Sequence, residues 1–526
     1  MQIAKALSRF KIMLVKTYGS AVYGVNALTI TIEVSIDNGT QYFVVGLPDN
    51  AVKESLFRVE SAIRTAGYRM PRQKIVVNLA PADIRKEGSA YDLPIAIGIL
   101  AASGQINATN TKLHQYFIMG ELSLDGSLQS IKGALPIALQ ALNDGFAGFI
   151  LPKANAREAG IVNQLSVYGM ASLSDVIDFF NEKSAPQPVI VNAAKEFLPE
   201  TNAYEHDFSD VKGQENIKRA LEIAAAGGHN VILIGPPGAG KTMLAKRLPT
   251  ILPPLSMQEA LESTKIYSVA GKLTAKQALL TERPFRAPHH TISDVALVGG
   301  GINPQPGEIS LAHNGVLFLD ELPEFKRTVL EVMRQPLEDR MVNISRARFA
   351  VAYPASFMLV ASMNPCPCGF FNHPDKECLC APGVVQKYLS KISGPLLDRI
   401  DLHVEVTPVN FEQLASDRQT ERSEVIRTRV INARTIQDER FKNQENLHAN
   451  AQMSSNMVRQ ICMIDETGQN LIKMAMEKLG LSARAYDRIL KVARTIADLD
   501  ESEHINTQHL AEAIHYRSLD RETWAG

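Results

Sequence analysis

A glycine-rich segment near the middle of the chain constrains the fold more than any other feature. Residues 231–242 read VILIGPPGAGKT, which is a short apolar run, a glycine-rich loop and a Lys-Thr pair. The spacing matches G-x-x-x-x-G-K-[ST], a pattern that connects a strand to a helix. Glycine lets backbone N–H groups converge on one anion, and the N-terminus of the next helix favours the same negative charge. The segment therefore predicts a phosphate-binding loop within an α/β domain.

The residues of this loop differ in the chemistry that they offer. Lys241 is expected to reach the β- and γ-phosphates of a nucleoside triphosphate, and the Thr242 hydroxyl to take one coordination position of Mg²⁺. ATP and Mg²⁺ are therefore the expected cofactors. The other candidates for nucleotide contact are Gly235, Pro236, Pro237, Gly238, Ala239, Gly240 and Met243.

A second apolar run ends in two acidic residues. Residues 316–319 read VLFL, and Asp320 and Glu321 follow them. A continuous apolar run is typical of a buried parallel strand, and ligands of open α/β sheets bind where such strands end. Asp320 is suited to Mg²⁺, directly or through water. Glu321 is suited to polarising the water that attacks the γ-phosphate.

A third apolar run, residues 357–363, ends at Asn364, whose amide could orient the same water. An asparagine that merely caps a strand end is the alternative. The order of phosphate loop, acidic strand end and asparagine strand end resembles that of an AAA+ ATPase. In this resemblance Asn364 is sensor 1.

Two arginines fit the same family. Arg399 lies in GPLLDRID, which resembles the arginine-finger segment of magnesium-chelatase and MCM-type ATPases. Arg484 lies in LSARAY, which resembles their sensor 2. The resemblance implies catalytic roles for both, beside Lys241, Glu321 and Asn364. A solvated salt bridge is the alternative for either arginine.

Four of the five cysteines crowd into residues 366–380: Cys366, Cys368, Cys378 and Cys380. In a reducing compartment such a cluster favours a metal site over a pair of disulfides. Four thiolates give the tetrahedral arrangement of structural zinc. Reduced loop thiols are the alternative, and His373 inside the loop could replace one ligand.

Composition limits the class of protein. A chain of 526 residues should hold two to four domains, and its 45% hydrophobic and 21% charged residues are ordinary for a soluble protein. The net charge of −1 creates no overall field that attracts nucleic acid, so any such site must be a local basic surface. No apolar run approaches the ~18 residues of a membrane span. The apolar run near residues 12–15 is too short for a secretory signal, so we expect a cytoplasmic protein without a membrane partner.

Residues 13–183 carry no phosphate loop and mix strand and helix patterns. Residues 30–36 alternate as a half-buried strand, residues 37–39 read as a turn, and residues 42–46 read as a second strand. The domain resembles the Lon protease fold. GELSLDGSL at 120–128 resembles its Gly-Glu hairpin, and KEGSA at 86–90 resembles its nucleophile segment imperfectly.

The Lon-like catalytic positions are not preserved. In this resemblance the nucleophile falls on Ala90, with Ser89 one residue early, and the catalytic lysine falls near Leu135, which has no amine. A Ser-Lys dyad needs both groups within hydrogen-bond reach. The domain is therefore interpreted as a non-proteolytic relative, and Ser89 with Lys86 or Lys132 is the alternative.

The remaining chain divides into three parts. Residues 184–207, with three prolines, read as a linker. Residues 208–408 form the nucleotide-binding core, and residues 409–526, which are dominated by helical patterns, form a helical lid. The predicted fold is therefore a multidomain α/β chain: an N-terminal Lon-like α+β domain, an AAA+ core with a parallel sheet, and a C-terminal lid.

This order of domains resembles the ComM/YifB family of magnesium-chelatase-like ATPases. The likeness starts near Met13 and includes VVGLPD at 44–49 and RPFRAPHH at 283–290, whereas residues 1–12 fall outside it. The resemblance implies a hexameric ring that drives branch migration in homologous recombination and natural transformation. The implied partners are single-stranded and branched DNA and further copies of the chain.

Two segments could contact DNA. The first precedes the glycines at 299–301 and offers Arg283, Phe285, Arg286, His289 and His290. The second, residues 341–353, reads as a hairpin that bears Arg346, Arg348 and Phe349. Cations neutralise phosphates and aromatic rings stack on bases, but a solvated loop is the alternative for each segment. Adjacent histidines in an extended segment should point apart, which argues against a metal site there.

Three functions compete on this basis. The first is a DNA motor. The second is a magnesium-chelatase subunit that drives metal insertion into a tetrapyrrole, although the Lon-like domain and the cysteine cluster are not part of that subunit's pattern. The third is an ATP-dependent Lon-like protease, which the missing lysine opposes.

Overall fold

The structure divides into two compact units. The computed structural model describes residues 13–197, 205–275, 277–301, 304–346, 349–371, 373, 376–409, 420–444 and 447–517. Unit 1 comprises residues 1–200 and 257–281, and unit 2 comprises residues 201–256 and 282–526. Residues 1–12, part of the predicted linker and Arg348 lie outside the described residues.

Unit 1 is built on a mixed seven-stranded sheet with the order β3-β4-β2-β1-β5-β8-β9. A separate hairpin, β6–β7, coincides with the predicted Gly-Glu hairpin. The strands are β1 (Met13–Tyr23), β2 (Asn26–Asp37), β3 (Tyr42–Val45), β4 (Lys74–Ala80), β5 (Tyr116–Ile118), β6 (Glu121–Leu122), β7 (Leu128–Gln129), β8 (Gly148–Pro152) and β9 (Ser166–Met170).

The helices of unit 1 cover this sheet. The helix Asp92–Ala102 is buried along its whole length, because its sequence DLPIAIGILAA is apolar on every side. A Cβ at Gly98 would lie 2.6 Å from Val34 Cγ2, so this helix contacts β2 closely. The helices of unit 1 are Asn50–Lys53, Ser55–Thr65, Asp92–Ala102, Asn110–Leu113, Ala134–Asn143, Ala156–Ala159, Leu173–Phe180, Ala193–Phe197 and Met257–Ala270.

Strand β3 pairs differently from what the turn at residues 37–39 suggests. It runs parallel to β4 and lies at the sheet edge, whereas β2 pairs antiparallel with β4 and β1. Two helices, Asn50–Lys53 and Ser55–Thr65, connect β3 to β4. A parallel pair needs such a crossover, so the helices and not the turn determine the partner of β3.

Residues 257–281 belong to unit 1, although the sequence analysis placed them in the core at 208–408. The Ser268 hydroxyl of helix Met257–Ala270 donates to the buried carboxylate of Glu158, and Gly133 N donates to Ser268 O at 3.0 Å. Leu135 N and Asn155 Nδ2 also donate to Glu158, at 2.9 and 3.3 Å. A buried carboxylate needs these donors, and no local pattern reveals which segment supplies them.

Unit 2 contains a five-stranded sheet with the order β11-β14-β17-β10-β18, in which neighbouring strands are parallel. Two antiparallel pairs, β12–β13 and β15–β16, accompany it. The strands are β10 (Val231–Ile234), β11 (Phe285–Arg286), β12 (Gly299–Gly300), β13 (Gln305–Pro306), β14 (Val316–Leu319), β15 (Met341–Arg346), β16 (Phe349–Pro354), β17 (Met358–Met363) and β18 (Leu402–Glu405).

The last part of unit 2 is helical, as predicted for the lid. Two of its helices, Ser423–Phe441 and Ala483–Leu499, pack on Glu215–Gly227, which lies against β18 of the sheet. None of the helices in the described ranges is long and apolar enough to cross a membrane. The helices of unit 2 are Glu215–Gly227, Lys241–Arg247, Asp294–Val298, Glu308–Leu311, Arg327–Val332, Arg334–Asp339, Pro382–Leu389, Gly394–Leu397, Ser423–Phe441, Ser455–Ile461, Glu466–Leu479, Ala483–Leu499 and Thr507–His515.

Replacing Ser268 should loosen the segment 257–281. In Ser268→Ala, the buried Glu158 loses one donor, which costs about 1–3 kcal/mol of local stability. Hydrogen exchange of helix Met257–Ala270 should therefore accelerate, while exchange of β10 in unit 2 stays unchanged. Thr274→Ala is the control, because that hydroxyl is exposed and donates to Gln277 at 3.3 Å. Equal exchange in Ser268→Ala and wild type would contradict the assignment of this segment to unit 1.

Candidate active site

Three neighbouring strands bring the predicted nucleotide-binding residues to one sheet edge. The order β14-β17-β10 is parallel, with Leu319 opposite Ala361 and Ile234 opposite Met363. The phosphate loop follows β10, the acidic pair follows β14, and Asn364 follows β17. Parallel strands end at a common edge, which is where ligands of such sheets bind.

Lys241 lies at the centre of this edge. Its Nζ donates to Gly235 O at 2.7 Å, to Pro236 O at 2.9 Å and to Asn364 Oδ1 at 3.1 Å. Burial lowers the pKa of Lys241, although the charge of Asp320 opposes the shift. The contact with Asn364 shows that the phosphate loop and the proposed sensor 1 share one site.

Asp320 is held by two hydroxyl groups. Thr242 Oγ1 donates to Asp320 Oδ2 at 2.7 Å, and the Ser362 hydroxyl donates to Asp320 Oδ1. A hydroxyl and a carboxylate are the oxygen ligands that Mg²⁺ accepts beside phosphate and water. The residues present therefore fit a nucleotide-bound Mg²⁺ at this position.

Glu321 follows in the left-handed backbone region, with φ +54°, and its side chain is 59% exposed. Its N–H points back to Asp320 Oδ1 at 3.1 Å and to Ser362 Oγ at 3.3 Å. Because the Glu321 side chain is largely exposed, its carboxylate can reach a water molecule. His290 Nδ1 lies 3.7 Å from Glu321 Oε2.

The two adjacent histidines do not point apart, so that expectation was wrong. The ring centroids of His289 and His290 are 4.1 Å apart. Ile292 N donates to His289 O at 3.0 Å, so the chain turns at this point and is not extended. His290, which the sequence analysis assigned to DNA, instead lies beside Glu321.

Two residues of the site were missed by the sequence analysis. Ser362 is a polar residue in the apolar run of β17, two positions before Asn364 and therefore on the same face. Gln214 Nε2 donates to Ala239 O at 3.0 Å and to Thr407 O at 3.1 Å, which ties the phosphate loop to the end of β18. The spacing signal could have identified Ser362, whereas nothing local identifies Gln214.

The phosphate loop is closely surrounded by backbone. A Cβ at Gly235 would lie 2.2 Å from Val406 O. A Cβ at Gly369, which has φ +84°, would lie 2.4 Å from Pro237 Cδ. Glycine is therefore required at both positions. The turn that contains the cysteines thus lies directly against the loop. Met243, in the first turn of the next helix, is 36% exposed.

The four clustered cysteines converge. Their Sγ atoms all lie within 4.8 Å of one another. Cys366 lies 3.2 Å from Cys368 and 3.7 Å from Cys378, and Cys368 lies 3.6 Å from Cys378. Zn–S bonds of ~2.3 Å in a tetrahedron place sulfurs ~3.8 Å apart, so the set fits such a metal. His373 Nδ1 instead accepts from Lys376 N at 3.1 Å.

Arg399 and Arg484 occupy different surroundings. The side chain of Arg399 is 6% exposed and lies 2.6 Å from Glu338. Arg484 is exposed in the first turn of helix Ala483–Leu499, and its charge lowers the pKa of the same Glu338. Both arginines therefore lie near one carboxylate, and neither contacts Lys241 in the described hydrogen bonds.

Three of the DNA candidates have structural partners. Arg283 donates to Pro253 O at 2.7 Å, to Asn314 O at 2.8 Å and to Pro254 O at 3.1 Å. Arg286 forms a bidentate pair with Glu308 at 2.6 and 2.8 Å. The Phe285 ring stacks with that of Phe318, with centroids 6.1 Å apart. These contacts argue against DNA binding by all three, because each group is already committed within the chain.

The predicted hairpin is present as β15–β16. Its strands pair from Met341 opposite Pro354 to Arg346 opposite Phe349. Val342 and Tyr353 are buried at its base, and the Tyr353 hydroxyl donates to Pro304 O at 2.9 Å. The hairpin is therefore anchored at the end that carries Val342 and Tyr353, and Arg346 belongs to the pair at the opposite end of its strands, while Arg348 lies outside the described residues.

Among the described residues, no hydrogen bond joins Ser89 to Lys86 or to Lys132, the two partners of the alternative dyad. The Ser89 hydroxyl donates to Glu121, and the ammonium group of buried Lys86 donates to Pro81 O. Ala90 and Leu135 offer no nucleophile or amine. The contacts of Ser89 and Lys86 therefore support the interpretation of a non-proteolytic domain.

Three family models match the chain. One described as "Magnesium chelatase, subunit ChlI" matches residues 207–414, and one described as "Magnesium chelatase, subunit ChlI C-terminal" matches residues 420–517. A third, "Subunit ChlI of Mg-chelatase", matches residues 32–155. The first domain therefore does not by itself separate this chain from chelatase subunits, which corrects one argument of the sequence analysis.

Whole proteins match over nearly the full chain. YifB of Escherichia coli is 47% identical over 505 residues, which cover 95% of this chain and 96% of that protein. Competence protein ComM of Haemophilus influenzae is 45% identical over 510 residues, which cover 96% and 97%. Lon protease 2 of Bacillus subtilis is 32% identical over 157 residues, 27% of each chain. These matches confirm the predicted fold class, including the Lon-like domain.

Lys241 and Glu321 should affect different steps. Lys241→Ala should weaken ATP binding about 10- to 100-fold, because a charged hydrogen bond to phosphate is lost. Glu321→Gln should retain binding and lose about 10²- to 10⁴-fold in turnover, because the water loses its polarising carboxylate. Nucleotide affinity and steady-state hydrolysis separate the two effects. Glu324→Gln, an exposed acid paired with Lys391, is the control. Normal turnover in Glu321→Gln would refute its role.

The turn at Gly369 should support nucleotide binding. In Gly369→Ala, a Cβ would collide with Pro237 and the backbone would be strained, at a cost of about 1–2 kcal/mol. Because the phosphate loop must shift to relieve this collision, ATP affinity should fall about 5- to 30-fold. Gly383→Ala is a matched control, because a Cβ there meets nothing within 4 Å. Equal affinity in both variants would show that the turn does not shape the loop.

Proposed function

We propose that this chain, which belongs to the ComM/YifB family of magnesium-chelatase-like AAA+ ATPases, is an ATP-driven DNA motor that promotes branch migration. As a member of this family it is an ATPase, and the family implies ATP and Mg²⁺. The observation that carries the DNA proposal is the hairpin β15–β16, which is anchored at its base and has Arg346 in the pair at the opposite end of its strands. It lies in the same unit as the nucleotide-binding edge, so one unit could bind both ATP and DNA.

The motor is proposed to act as a hexameric ring. Arg399 follows the motif of an arginine finger, a group that acts on the γ-phosphate of a neighbouring subunit. Arg399 lies beside Glu338, and none of the described hydrogen bonds of Lys241 involves Arg399. This position suits a role at the nucleotide of a neighbouring subunit. DNA, single-stranded or branched, would then pass the hairpins of several subunits.

The cysteine cluster is proposed to hold a structural zinc ion. Four thiolates leave no open coordination position, so the metal would fix the turn at residues 366–380 and supply no catalytic water. That turn touches the phosphate loop through Gly369, and Asn364 lies two residues before its first cysteine. Zinc would therefore stabilise the geometry of the nucleotide site by fixing this neighbouring turn.

Two other functions would give different results in a measurement of ATP turnover. A magnesium-chelatase subunit would hydrolyse ATP without a response to DNA. Family models named for that subunit match this chain, which is the observation in favour of this function. A protease is disfavoured by the contacts of Ser89 and Lys86. Stimulation by a porphyrin would favour the chelatase, and stimulation by unfolded protein would favour the protease.

DNA should stimulate ATP turnover. Single-stranded, duplex and branched DNA would each be added to the full-length protein, and binding should weaken steeply with salt as counterions are released. Arg346→Ala and Arg348→Ala should reduce DNA binding and leave ATP binding intact. Arg64→Ala, which removes an exposed arginine paired with Glu60 in unit 1, is the control. Turnover that is indifferent to every form of DNA would refute the motor.

Purified protein should contain about one zinc ion per chain. Cys378→Ser and Cys380→Ser should lower the metal content, whereas Cys462→Ala should not, because Cys462 is buried in the hydrophobic core. Elemental analysis and the reactivity of the thiols measure this independently of hydrolysis. A well-folded protein without metal, with all four clustered thiols freely reactive, would rule zinc out.

A further inference from the structure

The guanidinium group of Arg399 is held by a carboxylate of its own chain. Nη2 lies 2.6 Å from Glu338 Oε1, and Nη1 donates to Pro395 O at 2.5 Å. Nε is buried and has no hydrogen-bond partner among the residues described. The Arg399 side chain is 6% exposed, so most of its surface is covered while it remains beside Glu338.

Glu338 attracts more than one cation. Burial raises the pKa of Glu338, but the hydrogen bond to Arg399 and the charges of Arg399, Arg484 and Arg488 outweigh burial and hold the pKa below its ordinary value. The charges of both arginines with expected roles at the γ-phosphate, Arg399 and Arg484, therefore act on this carboxylate, and Arg399 is the one in contact with it. An anionic ligand that approaches them must compete with it.

A cavity gives such a ligand a path. It has a volume of about 480 Å³, and Arg399 and Glu338 line it together with Asp339, Val342 and Asn343. Arg399 is therefore accessible from one side, even though little of its surface is exposed.

We propose that Glu338 is a positioning residue that holds Arg399 within its own subunit until the terminal phosphate of a neighbouring subunit's ATP displaces the Glu338 carboxylate. This inference rests on the proposed function, in which Arg399 acts across a subunit interface. The exchange replaces one anion by another and breaks no covalent bond. The Glu338 side chain is 47% exposed, so its carboxylate can turn into water at little cost once the phosphate engages Arg399.

The test measures ATP turnover of the full-length protein without DNA. Glu338→Gln preserves the shape of the side chain and removes the competing charge. We expect kcat to rise about two- to fivefold with KM unchanged, because an ion pair of this exposure contributes only modestly. Arg399→Ala should nearly abolish turnover, and the double variant should show no gain. Glu331→Gln is the control, because Glu331 lines the same cavity but pairs with Arg334 at 2.6 Å.

The outcomes separate this inference from the function on which it rests. If Arg399→Ala is inactive and regains hydrolysis when mixed with Lys241→Ala, Arg399 acts across subunits. Unchanged or lower kcat in Glu338→Gln, with a wild-type circular dichroism spectrum, then overturns the restraint alone. If Arg399→Ala retains full turnover, the finger role fails and the restraint fails with it. A gain that persists in the double variant would also overturn the proposal, because it would not act through Arg399.

Discussion

Hydrogen bonds of Asn230 and Asp401 hold together the segments on which the nucleotide site depends. Asn230 directly precedes β10, and its Oδ1 accepts from Leu359 N of β17 at 2.8 Å. Its Nδ2 donates to Arg399 O at 3.0 Å, and its N–H donates to Asp401 Oδ2 at 2.9 Å. Asp401 in turn forms an ion pair with Arg488 of the lid. The phosphate strand, the Asn364 strand, the Arg399 turn and the lid therefore meet at one point.

The carboxylate of Asp401 is buried, and its neighbours keep it ionised. Burial raises the pKa of Asp401, but Arg488, His229 and the N–H of Asn230 outweigh burial and hold the pKa well below its usual range. Removing one partner of a buried pair costs about 3–5 kcal/mol, because the other charge is left unpaired. The backbone of Arg399, two residues before Asp401, is thereby fixed to the sheet and the lid. Only its side chain can readily change partner.

The parts of the site that follow local rules could be predicted from the sequence. The phosphate loop, the acidic strand end and Asn364 each sit at the end of an apolar run, and parallel strands necessarily bring such ends to one edge. The hairpin β15–β16 is likewise a local structure. The cysteine spacing pointed to convergence, which the Sγ positions within 4.8 Å of one another agree with.

Long-range partners could not be predicted in this way. The sequence around an arginine does not show whether its side chain faces DNA or a group of its own chain. Arg283 and Arg286 were therefore predicted as DNA contacts, whereas in the structure they bind Pro253 O and Glu308. The same limit hid the placement of residues 257–281, which depends on the buried carboxylate of Glu158. A short charged segment becomes a functional surface only when the fold leaves its charge without an internal partner. The exchange of partners by Arg399 is an intermediate case, because its internal partner is half exposed and a cavity adjoins the pair.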